Sequence, residues 1–299
     1  MRLWVFIRSV VTTREVNMTN YTLRKGDEGQ EVRRLQRCLS LVPDGKFGPK
    51  TDGAVKSYQQ CHGITLDGIA GPQTLGHLGI EVLHGIDVSA WNGKNIDWKA
   101  VSKTNVEYCW IKATEGQTHV NRGHADKFKG ARDNELIVGG YHFGRPDYNN
   151  SDDPLVDAEQ EAHHFLNVMA KVGIKSGDLL PVLDVEKGMK TDDQYNVEWC
   201  LKWLDVVEKE VGVRCVVYCA KWAWDLFLIK ADKNDLDKLV QYPIWWASYS
   251  GSVEPKRNVR GWKEWNVWQY GSKGTVTGIK GHVDVNWMAG GQLTKLIVP

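Results

Sequence analysis

The chain has 299 residues, a net charge of +1, and hydrophobic and charged fractions of 42% and 25%. This balance excludes a disordered chain, offers no basic surface for nucleic acid or an anionic membrane, and the length fits two domains. Tryptophan is the outlier: 14 are present and all but Trp4 lie after residue 90, a weak hint of stacking on sugar rings.

Residues 1–21 read as a disordered extension. The apolar run Leu3–Ile7 is followed at once by Arg8. It is too short for a signal core or a membrane span, and no small-residue cleavage site follows. Met18 is a plausible start by itself.

Residues 22–80 read as a small three-helix unit. Val32, Leu35, Cys38 and Leu39 recur at helical spacing. Asp44-Gly-Lys-Phe-Gly-Pro-Lys-Thr51 is nearly copied at Asp67-Gly-Ile-Ala-Gly-Pro-Gln-Thr74. Each copy is a glycine turn followed by a proline early in the next helix, where its missing N–H costs little. The helix between the copies, Thr51 to Cys61, is expected to bury Ala54, Val55 and Tyr58. The six cysteines show no metal spacing and read as reduced, small core residues.

From His84 onward, strand-like runs alternate with helical ones. The strands are expected at His84–Ser89, Glu107–Lys112, Ile137–Phe143, Leu180–Val185, Val213–Tyr218, Ile244–Ser248, Val267–Tyr270 and Val283–Trp287. The clearest helix is Asn196–Val211, with Cys200, Leu201, Leu204 and Val207 on one stripe and a stop at Gly212. The fold class is therefore α/β: a β/α barrel, TIM-like with fewer helices in its last part, over residues 84–299, plus the small all-α N-terminal domain.

The chemistry centres on Leu179-Leu-Pro-Val-Leu-Asp-Val-Glu186. Asp184 and Glu186 are two apart on a strand, so they face the same way. One ionised carboxylate raises the pKa of its neighbour, which suits general-acid work. Barrel chemistry sits at strand C-terminal ends, where Asp87 and Asp284 are also expected, so four acids converge on one mouth. A bare Asp-x-Glu is common, and by itself it favours a plain strand end. Same-face spacing of about 6.5–7 Å leaves retaining and inverting outcomes both open.

Residues 22–80 resemble the peptidoglycan-binding domain at the ends of bacterial and phage cell-wall hydrolases. The resemblance rests on Val32 to Gln36, Asp44 to Thr51, Ala54 to Gln59 and Asp67 to Thr74. Residues 84–290 resemble the glycoside hydrolase family 25 muramidases. Eight motifs appear in order: Gly85–Ser89, Ile111–Gly116, Gly140–Phe143, Leu183–Glu186, Val217-Tyr218, Trp245–Tyr249, Trp268–Tyr270 and Val283–Asn286.

The resemblance implies a phage-endolysin or autolysin architecture. It implies an N-acetylmuramidase that cuts the β-1,4 bond from N-acetylmuramic acid to N-acetylglucosamine, with a retaining and substrate-assisted course. Glu186 then matches the general acid and Asp184 the residue that steadies the substrate's N-acetyl group. Asp87 and Asp284 match supporting carboxylates, and Tyr141, Tyr218 and Trp245 match aromatic cleft positions, with core packing the equal alternative. Lys112 and Glu115 read as a structural ion pair near the mouth. The expected partner is peptidoglycan, for a monomer with no nucleic acid, no membrane insertion, no metal and no cofactor. The expected location is the host bacterial cytoplasm until release to the wall, with an extracellular site as the alternative. The alternatives in function are an inactive wall-binding protein and a chitinase-like glycosidase. Val182 speaks against the latter, because Asp-x-Asp-x-Glu would need an aspartate there.

Overall fold

A computed structural model describes residues 23–80, 82–146, 153–187, 191–249, 260–263, 265–289 and 292–299. The extension expected over residues 1–21 lies outside these. No helix among the described residues is long and apolar enough to cross a membrane.

Helices α1 (Gln30–Cys38), α2 (Pro49–Cys61) and α3 (Pro72–His77) enclose their own core of Leu23, Val32, Leu35, Phe47, Val55 and Leu75. The repeated motif explains how. Gln36 Nε2 donates to Asp44 Oδ1 at 2.7 Å, to the Lys46 carbonyl at 3.1 Å and to Thr51 Oγ1 at 3.0 Å. Its Oε1 accepts from the Gly45 N–H at 2.9 Å. Gln59 repeats this set with Asp67, Ile69, Thr74 and Gly68. Gly45 and Gly68 have φ of 80° and 74°, a left-handed turn that favours glycine.

Two expectations fail here. The residues that α2 buries are Thr51, Val55 and Gln59, while Ala54 and Tyr58 are half-buried. The turn's backbone and carboxylate need a buried partner, so an amide takes the place expected for apolar side chains. Cys38 and Cys61 are exposed at the helix ends, whereas Cys109, Cys200, Cys215 and Cys219 are buried. Gln36 completes the inward stripe of α1, which leaves Cys38 beyond its edge.

The barrel begins with β1 (Val82–Val88), α4 (Trp98–Val101), β2 (Val106–Glu115), the short β3 (His119–Val120), α5 (His124–Asp133) and β4 (Ile137–Phe143). It continues through α6 (Pro154–Val172), β5 (Val182–Val185), α7 (Asp193–Val211), β6 (Val216–Ala220), α8 (Lys221–Phe227) and α9 (Lys233–Leu239). It ends with β7 (Ile244–Ala247), β8 (Val267–Gly274), β9 (Val283–Ala289) and α10 (Leu293–Leu296). The strand order is β1-β9-β8-β7-β6-β5-β4-β2, and a β1–β2 pairing closes the ring, with β3 hanging on β2.

Around the ring the strands run parallel except β9, which is antiparallel to both β1 and β8, while the appended β3 runs antiparallel to β2. This corrects the placing of Asp284 at a strand's C-terminal end. It is the second residue of β9, and the reversed direction brings it to the mouth. As expected, α7 stops at Gly212 in a left-handed conformation; its start at Asp193 is set by the Asp192 side chain, which accepts from two backbone N–H groups.

Side-chain alternation divides the core. Tyr108, Trp110, Tyr141, Val182, Tyr218 and Trp245 belong to the barrel's inner cluster. Phe165, Trp199, Trp203 and Leu204 belong to the cluster beneath the helices. At Gly85 a Cβ would come within 2.0 Å of the Tyr108 ring, so the interior has room only for glycine there. Most tryptophans are core residues. Among the described residues, the tryptophans that stand exposed are Trp91 and Trp222, at 97% and 44%. The composition hint of sugar stacking therefore narrows to two positions.

Candidate active site

All four residues of β5 are buried. Asp184 turns inward between Phe143 of β4 and Tyr218 of β6. Glu186 lies one residue past the strand and keeps the two-residue step. On the other side of the ring, Asp87 of β1 and Asp284 of β9 are directly opposed across the antiparallel pair. These four acids line one cavity of about 400 Å3 together with Tyr141, Tyr218 and Trp245. The structure thus brings all seven predicted site residues together.

Two carboxylates directly opposed are costly when both are charged. Burial raises the pKa of Asp87, and the charge of Asp284 raises it further, against hydrogen bonds from Asn286 and Gln269. Burial also raises Asp284, opposed by its hydrogen bond with Asp87. Burial and the facing charge thus both disfavour the doubly ionised pair. Asp184 is raised by burial and then by the charge of Glu186. Its Oδ1 is buried with no hydrogen-bond partner. Glu186 is raised by burial and by Asp284, against the nearby cations Lys187 and Lys112. A carboxyl with a raised pKa at the edge of a cleft holds its proton to higher pH and can deliver it to a leaving oxygen.

Lys112 and Glu115 pair at 2.7 Å, as expected, and also line the cavity. Lys112 Nζ stands 4.1 Å from the centre of the Phe143 ring. This fixes a positive charge beside the β5 acids.

The predicted aromatics are core and cleft at once. Tyr141, Tyr218 and Trp245 are only 9%, 6% and 2% exposed, so they form the cavity floor. Trp245 stacks on Trp110 at 4.6 Å and donates its indole N–H to Asn286 Oδ1 at 2.8 Å.

The sequence reading did not single out Gln269 and Asn286, yet they hold the site together. Both donate to Asp87 Oδ2, at 2.8 and 2.9 Å. Gln269 Oε1 in turn accepts from the Tyr218 hydroxyl at 2.9 Å and the Tyr249 hydroxyl at 2.6 Å. The sequence carries a signal for both: Asn286 is one two-residue step beyond Asp284, and Gln269 is the middle residue of Trp268–Tyr270. Trp91 was also missed. It stands on the rim in a short turn, Ala90–Asn92, where Ser89 and Asn92 cap one another and Asn92 Nδ2 donates to the His282 carbonyl at 3.1 Å. Among the described residues no group of three or more His, Cys, Asp or Glu is placed to hold a metal ion.

Residues 86–279 match the family described as "Glycosyl hydrolases family 25", and residues 28–78 match "Putative peptidoglycan binding domain". The uncharacterized protein YegX of Escherichia coli K12 is 31% identical over 209 residues, covering 68% of this chain and 68% of that protein. Lysozyme M1 of Streptomyces globisporus is 26% identical over 219 residues, covering 71% of this chain and 70% of its own. The crystal structure of the bacterial lysozyme from Streptomyces coelicolor superposes with a TM-score of 0.57 at 25% identity, covering 68% of this chain and 90% of that one.

Proposed function

Because the chain belongs to the glycosyl hydrolases of family 25 and is a muramidase acting on peptidoglycan, we propose how its acids divide the work. Glu186 is the general acid. It gives its proton to the glycosidic oxygen as the bond from the muramic acid anomeric carbon to that oxygen breaks. The N-acetyl oxygen of the same sugar attacks that carbon, and Asp184 stabilises the positive charge that develops on the acetamido group. Water then attacks the anomeric carbon and gives its proton to Glu186, which releases the acetamido oxygen and resets the site. Two displacements at one carbon give net retention.

Asp87 and Asp284 shape the far wall, and Gln269 and Asn286 keep Asp87 in place. The helical unit at residues 28–78 holds the barrel on the wall, which raises the local concentration of substrate. The observation that carries this reading is the convergence of Glu186 and Asp184 on one cavity with burial-raised carboxyls.

The test is mass spectrometry and immediate NMR on fragments from purified peptidoglycan. Muramic acid at the new reducing ends, first seen as the β-anomer, is the expected result. N-acetylglucosamine reducing ends would overturn the bond assignment. An α-anomer at first appearance would overturn the retaining course and the role given to Asp184.

A further inference from the structure

Beyond the central cavity lies a second groove of about 500 Å3. It shares Glu186, Tyr218 and Tyr249 with the central cavity and extends outward over the ends of β6 and β7 to helix α8. Its own surface is Trp222, Leu226 and Ala247 with the Lys221–Asp225 pair. Trp222, Leu226 and Tyr249 are 44%, 61% and 54% exposed, an open apolar platform beside a polar cavity. Among the described residues the only carboxylate here besides Glu186 is Asp225, held by Lys221 and by Arg260, each at 2.7 Å.

We propose that this groove is the leaving-group subsite, with Trp222 as the platform on which the departing N-acetylglucosamine ring lies. The inference rests on the roles proposed above for Asp184 and Glu186. Asp184, which meets the reacting acetamido group, lines the central cavity and not the groove. The sugar that is attacked therefore sits in the central cavity. Glu186 lines both, and its proton goes to the oxygen between the two sugars. The sugar on the other side of that oxygen must leave towards the groove.

Strand order supports the direction. Trp91 follows β1, and β6 is four strands from β1 either way round the ring, so the groove opens across the mouth from Trp91. The chemistry also fits. N-acetylglucosamine is uncharged, and its ring presents C–H groups to an aromatic face, whereas muramic acid carries a carboxyl-bearing substituent that an apolar platform does not serve.

The experiment compares two substrates that share the retained half and differ in the leaving group. One is the tetrasaccharide of two GlcNAc–MurNAc units; the other is the β-fluoride of one such unit. Trp222→Ala is expected to lower kcat/KM on the tetrasaccharide about tenfold and to leave the fluoride unchanged. The unchanged fluoride rate also shows that the variant is folded. Leu226→Asp, at an exposed position of the same platform, should split the substrates the same way. Equal rates on the tetrasaccharide, or equal losses on both substrates, would overturn the subsite. A wild-type protein that cleaves neither would overturn the catalytic reading itself, and the subsite with it.

Discussion

The helical unit and the barrel mouth both bury polar side chains, and they do so with opposite outcomes. In the helical unit the amides of Gln36 and Gln59 meet a full set of partners, and the exposed Asp44 carboxyl is held below its usual range by the Lys46 N–H and the Gln36 amide. At the mouth the carboxyls of Asp87, Asp184, Glu186 and Asp284 are all pushed up, and Asp184 Oδ1 is buried without a partner. Satisfied polar groups rigidify a fold, while burial of incompletely paired charge costs stability and persists where chemistry uses it. The repeated motif is thus the scaffold of its unit, and the β5 acids, in the roles proposed for them, are the working parts of theirs.

The largest test of that difference is Glu186→Gln. Glutamine keeps the shape and removes only the transferable proton. Turnover of peptidoglycan should fall by about 10²–10⁴, with the melting temperature unchanged or raised, because a costly buried carboxyl has gone. A variant with full activity, or one that fails to fold, would erase the contrast between a mouth built for chemistry and a unit built for stability.

The opposite test is Gln59→Ala. It takes the acceptor from the buried Gly68 N–H and the amide donor from Thr74 Oγ1, while Asp67 Oδ1 keeps only the Ile69 N–H. The helical unit should lose about 2–4 kcal/mol. Hydrogen exchange of residues 62–75 in the full chain reads this as a rise of roughly 30–1000-fold, the same energy converted at 1.4 kcal/mol per tenfold. The rate on the soluble tetrasaccharide should not change, since none of these groups lines the cavity. Unchanged exchange would mean that the amide is decoration and the motif is kept for something else.

The same contrast explains what was legible in the sequence. The period-two pattern and the order of the motifs were enough for an eight-stranded ring and for the seven residues on its cavity. The direction of β9 was not, because a strand's pattern is the same read either way, and only the pairing with β1 and β8 reverses it. The buried face of α2 was misread because apolar periodicity is blind to an amide whose partners come from a turn eight to fifteen residues away. Trp91 was missed for a related reason. Thirteen tryptophans follow residue 90 in the chain, and nothing local separates an exposed one from those that fill the core.

The finest test works on the mouth's electrostatics alone. Lys187 follows Glu186 directly, is exposed, and is the first cation opposing the burial that raises the Glu186 pKa. Its charge favours the carboxylate, the form that cannot donate. Lys187→Gln removes that charge and disfavours ionisation, so the Glu186 pKa should rise further. A general acid works while protonated, so the basic limb of the kcat/KM profile should move to higher pH, by less than about one unit because the ammonium is screened by solvent. The acidic limb, which follows ionisation of another group, should stay where it is. The shift should also shrink in wild-type comparisons at high salt, where the lysine is already screened. A basic limb that moves to lower pH, or one that moves equally at low and high salt, would mean that Glu186 is not the group whose proton the reaction spends.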